Sequence, residues 1–367
     1  MINLGFFPSR RLALYMVRLF LTRSLAVLVM LVLVLMTLDL LGEAGKILAV
    51  PGNGNPALWH YVVLRVPILV SRFLPFSVLL GALIAFVGLN QNSEIVAMKA
   101  AGLSAHQILA PLVLASIAIA ALLFAFNEGV EVNSARHVNA WSDNDYKPIP
   151  PASGVVSNVW LLDGEDFVRA GIVSGRGAGM TLHQVSFYDR TGGVLQRVID
   201  ADEAALDPSR NAWLLRNATL YDASQNVVRH FALMRALEGL RPAQFTLAKV
   251  EPAELAYWTL KKRIAELEAA GRPTDEARSG LAHKLSQPLS ILLMPLLAAV
   301  AAFGLARSGQ VLVRAAAGMA LGFTYFVADN FALAMGNAGA YPPLVAAWAP
   351  FLLFLLIGEA VLVRTEE

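Results

Sequence analysis

The chain has 367 residues, of which 57% are hydrophobic and only 15% are charged, whereas a soluble domain usually carries about a quarter charged residues. The apolar residues fall in long blocks, and because a membrane span needs about 20 of them, this composition indicates a membrane protein. The net charge of +2 does not suggest a nucleic-acid partner, and the lack of cysteine excludes disulfides, thiolate catalysis and Cys-ligated metals.

Six apolar blocks predict six membrane-spanning helices, three before and three after a long polar stretch. They lie at about residues 24–41, 61–89, 108–126, 288–306, 315–335 and 344–363. The segment 8–23 mixes basic and apolar residues, so it either lies along the membrane interface or extends the first span. The N-terminus has no small-residue cleavage site after its basic residues, which indicates an uncleaved span rather than a signal peptide.

The distribution of Lys and Arg predicts the orientation, since these residues accumulate in short cytoplasmic loops. The basic residues that fall together on one side are Lys99, Arg307, Arg314 and Arg364. The short connections around Gly52 and Gly336 are nearly free of them. We therefore expect an inner-membrane protein with both termini in the cytoplasm and the stretch from residue 128 to 280 outside.

That stretch has the pattern of an all-β domain, in which short apolar runs alternate with turn residues. The runs are VVSNVWLL, FVRAGIV, MTLHQVSFYD, VLQRVIDA and AWLLRNATLYD. They predict a β-sandwich or jelly roll, with the Gly-rich segment 175–180 as a turn. The predicted organisation is an N-terminal membrane half (1–127), a periplasmic β-domain (128–250), a connector helix (251–280) and a C-terminal membrane half (281–367).

Catalytic motifs are not found in the sequence. The six histidines are scattered, and HExxH, GxSxG and Walker A patterns are missing. The chain therefore cannot hydrolyse ATP by itself, and an integral-membrane enzyme acting on lipids or peptides is the less favoured alternative. A membrane scaffold that anchors a β-domain is a second alternative.

The connection at residues 91–106 predicts a short amphipathic helix. Asn92 or Ser93 is a good N-cap, and Glu94 falls in the first turn, where the helix dipole favours an acid. Ile95 begins an apolar stripe, and Gly102 ends the helix. Two interpretations stay open: a coupling helix that docks on a cytoplasmic ATPase, or an interfacial helix that rests on lipid.

Ionisable residues near the outer ends of the spans form a second pattern, because charges in a membrane are costly and usually functional. They are Asp39, Glu43, Lys46, Arg65, Arg72, Arg136 and Lys284. These mainly basic charges could bind the phosphates of an amphiphile. Alternatively, Glu43 pairs with Lys46 and the arginines reach lipid headgroups. Asp329 in the fifth span could likewise be functional or be paired within the chain, and the side chain of Asn330 beside it could satisfy its hydrogen bonding.

Two segments resemble a known family. The run LPFSVLLGALIAFVGLNQNSEIVAMKAAGLS at 74–104 and the run HKLSQPLSILLMPLLAAVAAFGLARSG at 283–309 look like the lipopolysaccharide export permeases, the F- and G-type Lpt subunits. The arrangement of three plus three spans around a β-domain also matches, so the resemblance covers essentially the whole chain. The C-terminal segment looks more G-like than F-like.

The resemblance implies a permease that does no bond chemistry. Its partners would be a cytoplasmic ABC ATPase dimer (LptB type), which binds the ATP and Mg²⁺, a second permease (LptF type) and a periplasmic bridge (LptC/LptA type), with lipopolysaccharide as substrate. The implied ATPase-coupling residues are Glu94, Ile95, Met98, Lys99, Ala101 and Gly102. The implied lipid-binding residues are Lys46, Arg65, Arg72 and Arg136, and Lys284 belongs to the same group of outer charges.

Overall fold

A computed structural model describes most of the chain. The described residues are 8–143, 145–147, 156–163, 165–175, 179–191, 193–207, 212–222, 227–237, 240–242, 245, 250–269, 272–304 and 311–364. The chain divides into two compact units. The first is helical and comprises Met1–Lys147, Glu251–Ala265 and Pro273–Glu367, and the second comprises Pro148–Val250 and Glu266–Arg272.

Helices dominate the described part of the chain outside the sheet. Those before the sheet are α1 (Arg10–Ala49), α2 (Asn55–Gln91), α3 (Glu94–Ala100), α4 (Ala105–Phe126), a π-helical turn (Asn127–Glu131) and α5 (Val132–Asp143). Those after the sheet are a 3₁₀ turn (Pro252–Glu254), α6 (Tyr257–Ala269), α7 (Asp275–Leu289), a 3₁₀ turn (Ser290–Leu292), α8 (Leu293–Gly304), α9 (Val311–Asn337) and α10 (Pro343–Arg364).

Within the described residues, five helical stretches are long and apolar enough to cross a membrane. They are Arg10–Ala49, Asn55–Gln91, Ala105–Ser142, Asp275–Ala302 and Pro343–Arg364. In addition, α9 has 27 residues, about 40 Å of helix at 1.5 Å per residue, which exceeds the roughly 30 Å of a hydrocarbon core. The chain is therefore a multi-pass membrane protein.

Several boundaries differ from those expected from the sequence. The segment 10–23 belongs to the single 40-residue helix α1, so it extends the first span. The helix of the third span continues to Asp143, and the second unit begins only at Pro148 rather than at residue 128. Val132, Ala135 and Val138 are buried at helical spacing, and this apolar face explains why a polar segment remains helical.

The first two helices pack closely. A Cβ atom at Gly81 on α2 would lie 2.5 Å from both the Cα and the backbone nitrogen of Ser24 on α1. Glycine at this position therefore lets the two backbones approach each other. Phe20 and Phe86 are fully buried in the same hydrophobic core, which also includes residues of α4, α8, α9 and α10.

The second unit contains a six-stranded antiparallel sheet whose strands lie in sequence order. The strands are β1 (Val156–Asp163), β2 (Asp166–Ser174), β3 (Thr181–Thr191), β4 (Val194–Asp207), β5 (Ala212–Asp222) and β6 (Val227–Ala236). Its core includes Trp213, whose Nε1 donates a hydrogen bond of 2.9 Å to the carbonyl of Leu240. An inserted all-β domain in a helical membrane protein is thus confirmed, and the described strands form a meander.

The five apolar runs of the sequence correspond to β1 through β5. The sixth strand, Val227–Ala236, begins with four exposed residues and contains no fully buried one, so its sequence lacks the alternation of buried and exposed residues that marks a strand. The Gly-rich segment 175–180 is described only at its ends, with Gly175 at φ +81°. Residues 176–178, which belong to the predicted turn, lie outside the described residues.

Candidate functional site

An ion pair joins α1 and α2, almost three helical turns away from the connection between them. Arg65 donates from Nε to Oδ2 of Asp39 and from Nη2 to Oδ1, each at 3.0 Å. Tyr61 donates to the same Oδ2 at 2.7 Å. A bidentate pair of this kind is strong and directional, so a phosphate could bind Arg65 only in competition with Asp39. The sequence spacing did not indicate this bond between helices.

A second pair lies on the next turns of α1. Lys46 Nζ lies 2.9 Å from Oε1 of Glu43, and the lysine side chain is 66% exposed. The pairing that the sequence offered as an alternative to lipid binding is therefore present. Tyr146 donates to Oε2 of Glu43 at 2.8 Å. Burial of the Tyr146 hydroxyl, together with its bond to Glu43, raises the pKa of this tyrosine above its ordinary value.

A cavity of about 350 Å³ lies among α2, the π-helical turn, α7 and α9. Its wall combines apolar and polar side chains, and the polar ones include both signs of charge. The ionisable residues that line it are Arg72, Glu131, Glu251, Glu276, His283, Lys284 and Asp329. Placing ionisable groups among apolar helices costs free energy, and such groups are usually functional. This cavity is therefore the candidate functional site of the helical unit.

The two cations of the cavity differ in their surroundings. Lys284 is mostly buried, and its Nζ lies 3.8 Å from Oε1 of Glu128. Arg72 is exposed, and in the described part of the chain no carboxylate lies within ion-pair distance of it. Glu131 interacts electrostatically with both Lys284 and Arg72. The guanidinium of Arg72 is therefore the group best placed to bind an anion.

The acidic residue of the fifth span pairs across helices. Asp329 Oδ2 lies 3.1 Å from Nε2 of His283 on α7. Asn330 instead donates from Nδ2 to the carbonyl of Phe326 at 2.8 Å. The suggestion that Asn330 satisfies Asp329 is therefore wrong. Asn330 bonds its own helix because a side-chain amide can reach the carbonyl one turn earlier.

The π-helical turn contributes Asn127 and Glu131 to the wall of this cavity. Asn127 is buried, and its amide lies 2.7 Å from Oγ of Ser71 on α2. In the amide orientation that satisfies every partner, Nδ2 also donates to the carbonyl of Leu123 and, at 3.1 Å, to Glu131. Such π turns insert one extra residue into a helix and often occur at functional sites. In the sequence, the polar run NEGVE directly after an apolar block is the available signal.

The five predicted lipid-binding residues are not brought together. Arg72 and Lys284 line the cavity. Lys46 and Arg65 instead take part in two separate ion pairs of the α1–α2 hairpin. Arg136 on α5 donates from Nη2 to the carbonyl of Glu254 at 3.0 Å. Their order along the chain had suggested one group, but their bonding separates them into three.

The predicted coupling helix is α3, and Ser93 occupies its N-cap position without a side-chain capping bond. Glu94 accepts a hydrogen bond of 3.3 Å from Tyr15 on α1. Ile95 and Met98 are buried in the helical core, so this part of the apolar stripe packs on the chain itself rather than on an ATPase or on lipid, the two interpretations that the sequence had left open. The core covers them because the helix, which ends before Gly102 at φ +88°, folds back on the spans.

Residues outside the apolar stripe form the outward face of α3. Val96 is 61% exposed. The remaining exposed residues of α3 and its C-terminal turn are Ala97, Lys99, Ala100, Ala101 and Gly102. This small, smooth face is available to a partner, and it includes three of the six predicted coupling residues.

Long apolar helices, an inserted antiparallel β-domain and a charged cavity among the helices define a polytopic membrane protein of the transporter class. Comparison with known proteins makes this specific. Residues 14–364 match the family model of the lipopolysaccharide export system permease LptF/LptG. The chain belongs to this family, and it is a permease subunit of lipopolysaccharide export rather than an enzyme.

Two relatives illustrate the similarity. The chain is 27% identical over 314 residues to the "Lipopolysaccharide export system permease protein LptG" of Escherichia coli (strain K12), which covers 83% of this chain and 84% of that protein. It is 25% identical over 325 residues to the protein of the same name from Haemophilus influenzae (strain ATCC 51907 / DSM 11121 / KW20 / Rd), covering 86% and 89%.

Proposed function

We propose that this chain is the G-type permease of an ABC transporter that extracts lipopolysaccharide from the inner membrane and passes it to a periplasmic bridge. The observation that carries this proposal is the family match over residues 14–364, together with relatives named LptG. Both termini lie in the cytoplasm and the β-domain lies in the periplasm, an orientation supported by the basic residues Lys99 and Arg364 at the cytoplasmic ends.

The partners follow from the same proposal. A cytoplasmic ATPase dimer (LptB type) binds ATP and Mg²⁺, and this chain binds no cofactor. A second permease (LptF type) completes the membrane part, and a bridge of LptC/LptA type receives the lipid. The face of α3 that includes Val96 and Lys99 docks on the ATPase, and Glu94 links that helix to Tyr15 on α1. The buried Ile95 and Met98 transmit the motion to the spans.

The basic residues of this chain differ in how readily they bind the lipid, because some of them already bond other groups of the chain. Arg72 binds a phosphate group of the lipid first, since it is exposed at the cavity and has no ion pair there within the described residues. Lys284 follows if Glu128 releases it. Lys46, Arg65 and Arg136 contribute less because each already bonds a group of this chain. ATP-driven motion of α3 then reshapes the cavity and moves the lipid toward the β-domain.

The proposal is tested by purifying a tagged chain from native membranes in mild detergent and identifying every protein and lipid that accompanies it. Recovery of one ABC ATPase, one further six-span permease and lipopolysaccharide supports it, and the second permease's own sequence settles which type each chain is. Recovery of the chain alone, or with periplasmic proteins only, overturns it in favour of a scaffold. Turnover of a lipid by the purified chain without nucleotide would indicate a membrane enzyme instead.

A further inference from the structure

One face of α6 combines an aromatic ring with two cations. Leu260 and Ile264 of this helix are buried, whereas Trp258, Lys261 and Lys262 are exposed. Spacings of three and four residues place these three side chains on the same face. Trp258 is 73% exposed, and Lys261 Nζ lies 5.7 Å from the centroid of its ring. An exposed indole flanked by two ammonium groups is a side-chain combination typical of a membrane interface.

The start of α6 is bonded to the end of a membrane span. The backbone N–H of Tyr257 donates to Oε2 of Glu128 at 2.6 Å, and Glu128 follows two residues after α4. That helix has 22 residues, about 33 Å, which is the thickness of a hydrocarbon core. The preceding turn is also held, because Arg136 donates to the carbonyl of Glu254. The first turn of α6 is therefore held at the level of the membrane surface.

We propose that Trp258, Lys261 and Lys262 form an interfacial anchor that binds the phosphates of anionic phospholipids at this membrane surface. Indole rings favour the headgroup level, where one edge is apolar and the other is hydrated. Lysine side chains extend from an apolar helix to headgroups and gain from negative surface charge. The anchor holds the start of α6 against the bilayer. It is a site for structural lipid and goes beyond the proposed export of lipopolysaccharide.

The depth of the anchor can be measured directly because the chain contains no cysteine. In nanodiscs made of phosphatidylglycerol and phosphatidylcholine without lipopolysaccharide, a nitroxide is attached at Trp258→Cys. Leu122→Cys on α4, at a site 71% exposed, serves as the lipid-facing reference, and Asn217→Cys on β5 as the aqueous one. We expect the Trp258→Cys label to meet a water-soluble nickel relaxant less often than the aqueous reference and more often than the lipid-facing one. Accessibility equal to the aqueous reference, or shielding from both nickel and oxygen as under a protein partner, overturns the proposal.

The choice of lipid is tested on the intact indole. The double variant Lys261→Gln/Lys262→Gln should reduce the preference for bound phosphatidylglycerol over phosphatidylcholine by roughly fivefold for each lysine removed. Arg229→Gln/Arg235→Gln on β6 removes the same charge from another exposed face and should leave the preference unchanged. An unchanged preference in the lysine variant, or an equal loss in the arginine variant, contradicts the anchor. Because no lipopolysaccharide is present, these outcomes do not depend on the transport function.

Discussion

Asp39 on α1 and Arg65 on α2 face each other as a two-pronged ion pair, with both nitrogen–oxygen distances at 3.0 Å. Tyr61 donates a third bond to the same carboxylate at 2.7 Å. Charges between apolar helices are tolerated when they are paired, so this group fixes the α1–α2 hairpin. It also removes Arg65 from the set of cations that are ready to bind a lipid phosphate.

Arg65→Met should lower the free energy of unfolding by about 1–3 kcal/mol, because it leaves the Asp39 carboxylate without its partner in a half-buried position. The double variant Asp39→Leu/Arg65→Met should recover most of that loss. Unfolding in mixed micelles measures both. Lys46→Met, at an exposed pair, is the control and should leave the unfolding midpoint unchanged. A double variant as unstable as Arg65→Met alone would show that the unpaired Asp39 carboxylate is not the cause of the loss.

Gly81→Ala should destabilise the hairpin by about 1–3 kcal/mol, since the added methyl group meets the backbone of Ser24 and the helices must separate. Gly88 lies on the same helix, and a Cβ atom there has nothing within 4 Å. Gly88→Ala should therefore be neutral or stabilising by about 0.5–1 kcal/mol through reduced backbone freedom. Thermal unfolding of the two variants in one detergent compares them, and similar midpoints would refute the close packing.

Arg72→Glu should weaken lipid capture, because it replaces an exposed cation of the cavity with a repelling charge. We expect photo-crosslinking of lipopolysaccharide to fall about tenfold, the effect of losing one charge-assisted hydrogen bond. Co-purification of the ATPase should not change. Arg229→Glu alters an exposed cation on β6, outside the cavity lining, and is the matched control. Unchanged crosslinking in Arg72→Glu would exclude the cavity as the lipid site.

Glu94→Arg should abolish export while the chain still inserts into the membrane. The substitution reverses a charge in the first turn of α3, where the helix dipole favours an acid, and removes the acceptor of the Tyr15 hydroxyl. Export of lipopolysaccharide and the amount of chain in the membrane fraction are measured together. Tyr15→Phe removes only the hydrogen bond, so it separates the internal role of Glu94 from its role toward a partner. Normal export by Glu94→Arg would remove this residue from coupling.

The sequence predicted those features that depend on neighbours along the chain. Apolar blocks indicated the spans, and the three-residue spacing of Glu43 and Lys46 indicated their pair, now seen at 2.9 Å. The end of α3 at Gly102 could likewise be predicted from the local sequence, since only glycine readily adopts a positive φ.

The remaining features depend on how separate helices pack. Asp39 has no cation three or four residues away on α1, and only the position of α2 beside α1 gives it Arg65. Ile95 and Met98 could equally have faced a partner, lipid or the chain itself, and the fold-back of α3 decides the outcome. The polar sequence between Glu128 and Asp143 concealed a helix because its apolar residues are few and widely spaced.

The most direct test of the central claim is ATP-driven transfer of lipopolysaccharide from proteoliposomes. The vesicles contain this chain with its co-purified ATPase and second permease, and a soluble periplasmic acceptor collects the lipid. We predict transfer that needs ATP and falls to background when this chain carries Glu94→Arg. Transfer that continues without this chain, or none at all from the complete and folded complex, would contradict its role as an export permease.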